Sequence, residues 1–242
     1  MTIRPGPGGL RAFNAPMEAA VARRTIYVLN PSSRTDTGIT EDMQRSLGWL
    51  AHADGPDIRC LTLSDGPNGI KNQRDSDSAA PAILGFIARE CERPEVAGFV
   101  IACFSDPAVF SAREMTTKPV IGIGEAGIMA GLALGDLVGT IGVSGGNPVK
   151  GLRFARRLGV RERIASHVGL GLDYGQLQNP AFVEDSLIKA GLRLRDEHGA
   201  DAIVFAGAGL ARYVAPLRAA TGLPVVDPTQ AAVALVLTQA IA

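Results

Sequence analysis

The chain has 242 residues, of which 46% are hydrophobic, so it can bury one large core or two small ones and shows no disorder-type bias. Lysine plus arginine and aspartate plus glutamate number 24 each, and this balance excludes a strong field that would attract nucleic acid or an anionic membrane. The apolar runs fall short of the ~20 residues of a bilayer span, and the N-terminus lacks a charged-then-apolar signal pattern, so we expect a cytoplasmic protein without a membrane partner.

The predicted elements form a regular alternation after a short leader. Residues 1–23 are rich in proline and glycine and are expected to form an N-terminal arm outside the core. From Thr25 onward, β-rich runs alternate with stretches of helical spacing, which is typical of βα units around a mainly parallel sheet. The predicted strands are 25–30, 57–63, 96–104, 119–124, 137–144, 163–170, 201–207 and 223–227. The predicted helices are 78–91, 126–135, 148–159 and 180–199.

Two of these blocks repeat each other. The run "AGFVIACFSDP" from Ala97 aligns with "DAIVFAGAGLA" from Asp201, and "KPVIGIGEA" then aligns with "LPVVDPTQA" after one residue of offset. The repeat predicts an α/β protein with two similar lobes, residues 24–118 plus 223–242 and residues 119–222, that face each other across a cleft. Ligands of open α/β sheets bind at the carboxyl ends of the strands. Cys103 occupies such an end in one lobe, and Gly207 occupies the matching end in the other.

Cys103 is the candidate reactive thiol. It ends a strand just before Ser105, Asp106 and Pro107, a set that predicts a helix start, and a helix N-terminus can stabilise a thiolate. The alternative is a small buried hydrophobic residue, the commonest role of a cysteine thiol. Cys60, within a strand, and Cys91, near a helix end, are assigned that structural role. Three cysteines without metal-type spacing also predict neither a disulfide nor a metal site.

Short polar side chains follow two other strands. The first strand ends at Asn30 and is followed by Ser32 and Ser33, which are suited to holding a carboxylate or an imide carbonyl. A later strand ends at Ser144 and Gly145 before a proline-started helix, where backbone N–H groups can bind an anion. Either set could be turn and capping chemistry alone. Together they predict a small anionic ligand.

Other common binding sites are not predicted. No Walker sequence or complete dinucleotide fingerprint follows a strand, since "GIGEAG" lacks the required spacing, so nucleotide binding is not supported. The three histidines are scattered. His167 is the one placed near the cleft, and a core role is predicted for it.

Four blocks carry a resemblance to a known family. "IYVLNPSS", "IACFSDP", "PVIGIGEAGIMA" and "IVFAGAGLA" occur in order, and the chain from Thr25 to Ala242 resembles the aspartate/glutamate/hydantoin racemase superfamily, in its hydantoin and allantoin racemase branch. The resemblance implies two pseudo-symmetric Rossmann-like (flavodoxin-like) lobes with parallel sheets and an active site between them. It also implies that no cofactor is required. In that family two cysteines, one from each lobe, remove and deliver a proton on opposite faces of a substrate carbon.

Only one of these cysteines is present. The first corresponds to Cys103, whereas the family's Gly-Cys-Ala-Gly corresponds to residues 206–209, in which Gly207 replaces the second thiol. Racemisation by two bases needs an acid and a base on opposite faces of the carbon, and glycine supplies neither. The family's Asn and Ser donors correspond to Asn30, Ser32 and Ser33. The further candidates for holding substrate are Phe104, Ser105, Ser144, Gly145, Gly207, Ala208 and Gly209, with the N–H groups of Phe104, Ala208 and Gly209 as oxyanion donors.

Several functions fit this departure. The first is a racemase or isomerase in which another group or a water replaces the lost thiol. The second is a one-thiol decarboxylase, and the third uses Cys103 as a nucleophile toward a carbonyl or alkene. The fourth is a binding protein without catalysis, and an engineered change at Gly207 is a further option. The apolar C-terminal helix and the arm favour a homo-oligomer.

Overall fold

The computed structural model describes residues 23–143, 145 and 148–240, so all but the last residue of the predicted arm lies outside the described part. Its strands are β1 Thr25–Asn30, β2 Asp57–Thr62, β3 Val96–Ile101, β4 Val120–Gly122, β5 Val138–Gly142, β6 Ile164–Gly169, β7 Ala202–Phe205 and β8 Val225–Val226. Its helices are α1 Ile39–Ser46, α2 Gln73–Ser78, α3 Ala80–Glu90, α4 Val109–Met115, α5 Ile123–Leu132, α6 Pro148–Arg157, α7 Tyr174–Leu177, α8 Pro180–His198, α9 Val214–Thr221 and α10 Pro228–Ala240. None of these helices is long and apolar enough to cross a membrane.

The strands lie where the apolar runs predict them. β1 has the predicted bounds, and the other strands begin and end within a few residues of prediction. The largest difference is at the end of β3, which stops at Ile101 and not at Phe104. The N–H of Cys103 donates to the carbonyl of Ile101 at 2.9 Å, so the chain turns there and leaves the sheet.

The two sheets have the same topology. Each has four parallel strands, in the order β2-β1-β3-β4 in the first sheet and β6-β5-β7-β8 in the second. The central strands of each sheet are buried on both faces, as expected of parallel sheets between helices. This arrangement confirms the α/β class and the two pseudo-symmetric, flavodoxin-like lobes.

The predicted lobe limits need correction at two strands. β4 was predicted to lie in the second lobe and β8 in the first, but β4 pairs with β3 and β8 pairs with β7. Hydrogen bonding between strands decides which sheet a strand joins. A division of the sequence into ranges of consecutive residues does not show this pairing.

The helices that follow these edge strands exchange lobes. α5 follows the first sheet yet packs on β7 of the second, whereas α10 follows the second sheet and packs on β3 of the first. The two helices also pack on each other. A glycine allows α5 to approach β7 closely, since a Cβ at Gly131 of α5 would lie 2.6 Å from a Val204 methyl of β7.

The repeat in the sequence is a repeat in structure. After β3 and after β7, the residue that precedes Cys103 or Gly207 donates its N–H to a carbonyl of the neighbouring strand. These bonds are Ala102 N to Leu29 O at 2.8 Å and Ala206 N to Ile141 O at 2.7 Å. Cys103 and Gly207 therefore occupy equivalent positions in the two lobes.

Candidate active site

A cavity of about 580 Å³ lies between the lobes at the carboxyl ends of the strands. Residues that follow β1, β3, β5 and β7 contribute to its wall, so both sheets form it. The predicted site residues that line it are Asn30, Ser32, Cys103, Phe104, Ser105, Gly207, Ala208 and Gly209. The two equivalent strand ends are thus brought to one space.

Two predicted residues do not line this cavity. The N–H of Ser33 donates to the carbonyl of Pro67 at 3.0 Å, which holds it in the loop behind the wall. Gly145 is exposed and lies beside a separate depression that contains Ser166 and Arg193. Ser144 lies outside the described residues.

The Cys103 thiol is connected to two serine hydroxyls. Its Sγ lies 3.3 Å from Oγ of Ser105, and Ser105 Oγ lies 2.8 Å from Oγ of Ser76. Ser76 is buried on α2, where it is 2% exposed. A hydroxyl that donates to a thiolate favours the charged form, and Ser76 can supply the next donor in the chain. The pair fixes the position of the sulfur.

The turn after Cys103 differs from the predicted helix start. α4 begins at Val109 and not at Pro107, and Asp106 does not cap it. The Asp106 carboxylate instead accepts the N–H groups of Gly124 and Glu125, both at 2.8 Å, and so caps α5. A side chain at Gly124 would not fit, since its Cβ would lie 2.2 Å from a backbone oxygen. Asp106, which was expected to mark the start of the next helix, therefore caps a later one.

Asp106 anchors the loop that carries the thiol. It is 5% exposed and has a φ of 47°, a left-handed conformation that aspartate tolerates better than most residues. Burial raises the pKa of Asp106 to about 7, although the two N–H groups oppose this shift. Because its carboxylate is tied to α5, the Cys103 loop is tied to the helix that crosses to the second lobe.

The loops after β3 and β7 cross in opposite directions. Phe104 packs into the second lobe, with its ring centroid 6.0 Å from that of Phe154 on α6. Ala208 packs into the core of the first lobe, near Ile39. Each strand end is therefore held by side chains of the opposite lobe. Both residues also line the cavity.

The position in the second lobe that is equivalent to Cys103 is open. A Cβ at Gly207 would meet no atom within 4 Å, and its φ lies outside the left-handed region. Gly209, two residues later, has a φ of 77° and lies close to Ile39. The backbone N–H groups of Phe104, Ala208 and Gly209 have no hydrogen-bond partner in the described part of the chain. Their role as oxyanion donors stays a prediction.

His167 also lines the cavity, whereas a core role was predicted for it. It lies on β6, and its Nδ1 is 2.8 Å from Oγ1 of Thr140 on β5. The Thr140 hydroxyl can donate to the carbonyl of Ser166, 3.5 Å away, which leaves its oxygen to accept from Nδ1–H. Burial lowers the pKa of His167, so the imidazole is neutral at pH 7. A neutral ring with Nε2 unprotonated can act as a base.

The charged side chains around the cavity are mostly cationic. Among the described residues, the cationic lining residues are Arg34, Lys71, Arg153, Arg157 and Arg212, against the acidic residues Asp42 and Asp173. Some are paired: Arg34 with Asp36 outside the wall, and Arg212 with Asp42. The excess of positive charge favours an anionic ligand. Asn30 and Ser32 add neutral donors. The side-chain amide of Asn30 also donates a hydrogen bond to Oγ1 of Thr40 at 3.1 Å, which holds this side chain in place.

Sequence reasoning missed several of these residues. The serine on α2 and the arginines on α6 lie far along the chain from the strand ends, and no local motif marks them. The sequence places His167 near the cleft, but no motif marks it as a cavity residue. Its bond to Thr140 on the neighbouring strand is a tertiary contact that the sequence does not show.

Comparisons with known proteins extend over both lobes. A family model described as Asp/Glu/Hydantoin racemase matches residues 26–236. Hydantoin racemase of Paenarthrobacter aurescens is 29% identical over 214 residues, which cover 86% of this chain and 87% of that protein. The structure of allantoin racemase from Klebsiella pneumoniae has a TM-score of 0.81 at 25% identity and covers 89% of this chain and 86% of that one. Glutamate racemase from Francisella tularensis shares the fold, with a TM-score of 0.62 at 15% identity over 89% of this chain and 80% of that one.

Proposed function

Because the chain belongs to the Asp/Glu/hydantoin racemase family, we propose that it is a cofactor-independent racemase in which Cys103 transfers the proton. The proposed substrates are hydantoin-like or allantoin-like rings, or small carboxylates. The observation that carries the proposal is the position of Cys103 in the wall of the cavity between the lobes, with its sulfur 3.3 Å from the hydroxyl of Ser105.

The substrate class is supported by the wall of the cavity. An imide or carboxylate oxygen needs hydrogen-bond donors, which Asn30 and Ser32 can provide on one side. On the other side, the N–H groups of Ala208 and Gly209 are available. The excess of cationic side chains favours a substrate that is anionic or becomes so during the reaction. Similarity to hydantoin racemase over most of both chains supports a ring substrate.

The chemistry begins with removal of a proton from a carbon next to a carbonyl. The electron pair moves onto the carbonyl oxygen, and an enolate forms. Donors that are already oriented stabilise this oxyanion at little reorganisation cost, and the N–H groups of Phe104, Ala208 and Gly209 are suited to that role. Return of a proton to the opposite face inverts the centre. Return to the same face only exchanges the hydrogen with solvent.

A second candidate function is proton transfer on one face alone, as in a one-thiol decarboxylase. It is favoured by the open space at Gly207, where the family's second thiol is missing and no neighbouring side chain comes within 4 Å of a Cβ. An enzyme of this kind would exchange the α-hydrogen of one enantiomer with retention and leave the optical rotation unchanged.

The experiment is a panel of single enantiomers incubated with the protein in deuterated water. The panel contains allantoin, alkylhydantoins, glutamate and aspartate, and each sample is followed by polarimetry and proton NMR with the enzyme-free rate subtracted. We expect a ring substrate to lose both its α-hydrogen signal and its rotation. Retained rotation with exchange would favour the second candidate. Absence of exchange in every sample would contradict the proposed function.

A further inference from the structure

We infer that His167 is the acid–base group that replaces the missing thiol on the face opposite Cys103. This inference rests on the proposed function and assigns the second proton to a residue of this chain. Three observations carry it: the position of the imidazole beside Gly142 and Ala206, its contact with α6, which also packs on Phe104, and its hydrogen bond to Thr140.

The imidazole reaches across β5 toward the end of β7. A Cβ at Gly142, on β5, would lie 3.4 Å from Cε1 of His167 and 3.6 Å from Cβ of Ala206. Gly142 has no side chain, so the ring and the Ala206 methyl group both border the space above this glycine. Ala206 directly precedes Gly207. The imidazole is therefore a neighbour of the strand end that lacks its thiol.

α6 places the same ring close to the Cys103 loop. A Cβ at Gly151 would lie 3.4 Å from Cγ of His167, so this part of the helix covers the imidazole. Phe154, three residues later, packs against Phe104, the neighbour of Cys103 in sequence. Residues three apart lie side by side on a helix, about 5 to 6 Å apart. One stretch of α6 therefore contacts both His167 and Phe104, and His167, Phe104 and Cys103 line the same cavity.

The hydrogen bond to Thr140 selects the form of the ring that can act. With Nδ1–H held by Thr140, Nε2 is the basic nitrogen. Nε2 removes the proton from one face of the carbon, and the electron pair moves into the enolate. The Cys103 thiol then delivers its proton to the other face and becomes a thiolate. The products are the inverted substrate, imidazolium and thiolate, so protons and charge balance, and this ion-pair form accepts the opposite enantiomer by the reverse steps.

The first test is His167→Asn, in which the shorter amide can still bond Thr140 while Nε2 is lost. We expect racemisation of an alkylhydantoin to fall at least about 100-fold, because acid–base groups contribute about 10²- to 10⁴-fold. One enantiomer, whose hydrogen faces Cys103, should still exchange with retention in deuterated water. His52→Asn is the matched control, since His52 is exposed and outside the cavity, and it should keep the wild-type rate.

The second test adds Gly207→Cys to His167→Asn. If the lost group is the far-face acid, a thiol at the open position should restore racemisation at least about tenfold over the single variant, or 1.4 kcal/mol of barrier. Racemisation by His167→Asn within threefold of wild type would overturn the inference. The inference would also be overturned if His167→Asn, with an unchanged unfolding temperature, exchanged the α-hydrogen of neither enantiomer and Gly207→Cys did not restore activity. If wild type itself exchanges neither enantiomer, the proposed function fails, which is a distinct result.

Discussion

At the scale of single residues, the three cysteines differ in surroundings. Burial raises the pKa of Cys60 to about 12, and Cys91 is 7% exposed beside the end of α3. Cys103 lines the cavity and has the hydroxyl of Ser105 beside its sulfur. Since the thiolate is the reactive form and must be reached by the reagent, the surroundings favour reaction at Cys103.

Alkylation measures this difference. With limiting iodoacetamide near pH 7, we expect peptides that contain Cys103 to be labelled first, and Cys60 and Cys91 only after unfolding. Mass spectrometry of a time course gives the order, and Cys103→Ser is the control for assignment. Earlier labelling of Cys60 or Cys91 in the folded protein would contradict the assignment of the reactive thiol.

Gly207 and Gly209 provide a matched pair of substitutions. Gly207→Ala adds a methyl group to open space and should change the free energy of unfolding by less than about 0.5 kcal/mol. Gly209→Ala forces a left-handed residue against Ile39, 3.2 Å away, and should cost about 1 to 2 kcal/mol. Denaturant unfolding compares the two. Equal losses would show that the loop after β7 is not held as described.

At the scale of elements, buried carboxylates cap the two helices that cross between the lobes. Asp106 caps α5 from the β3 loop, whereas Asp227 stands just before α10 and accepts the N–H of Gln230 at 2.9 Å. The other oxygen of Asp227 has no hydrogen-bond partner among the described residues. Burial raises the pKa of Asp227 to about 6. Its ionisation therefore destabilises the folded state.

The sign of the pH effect follows from this shift. The folded protein binds the proton of Asp227 more tightly than the unfolded chain, whose ordinary value is 3.8, so the contribution to stability is lost as pH rises from about 4 to about 6. Asp227→Asn keeps one oxygen acceptor and removes the ionisation. We compare the free energy of unfolding of this variant with that of wild type at each pH. The difference should shift in favour of the variant by on the order of 2 to 3 kcal/mol between pH 4 and pH 8.

Urea unfolding at pH 4, 6 and 8 tests this expectation. Asp54→Asn is the control, because Asp54 is exposed and its carboxylate has no hydrogen bond or ion pair within the described residues, so its loss should change the free energy of unfolding by less than about 0.5 kcal/mol. A stability difference between Asp227→Asn and wild type that does not grow from pH 4 to pH 8 would contradict the buried, raised-pKa carboxylate.

At the scale of the whole molecule, the lobes are interlocked. α5 and α10 each pack on the opposite sheet, and Phe104 and Ala208 each enter the opposite core. The side chain of Gln230 on α10 also donates to the carbonyl of Ser46 on α1, at 3.1 Å. The two strand ends that form the cavity are therefore fixed relative to each other, which proton transfer at a single carbon requires.

Sequence patterns predicted the two sheets and the position of Cys103 at a strand end, because apolar runs and an internal repeat can be read from the order of residues alone. They failed where a tertiary contact decides the outcome. The carboxylate of Asp106 binds α5 and not the next helix, and β4 joins the first sheet through its bonds to β3. His167 carries no motif, and only its bond to Thr140 and the glycines around it place the ring in the cavity.

The most direct test of Cys103 as the proton-transfer group is the racemisation rate of Cys103→Ser, measured by polarimetry on the ring substrate that wild type turns over fastest. Cys60→Ser is the control, since Cys60 lies in β2 outside the cavity. With equal unfolding temperatures, Cys103→Ser should fall below about one per cent of the wild-type rate and Cys60→Ser should stay within twofold. A Cys103→Ser rate well above one per cent would contradict the central role of this thiol.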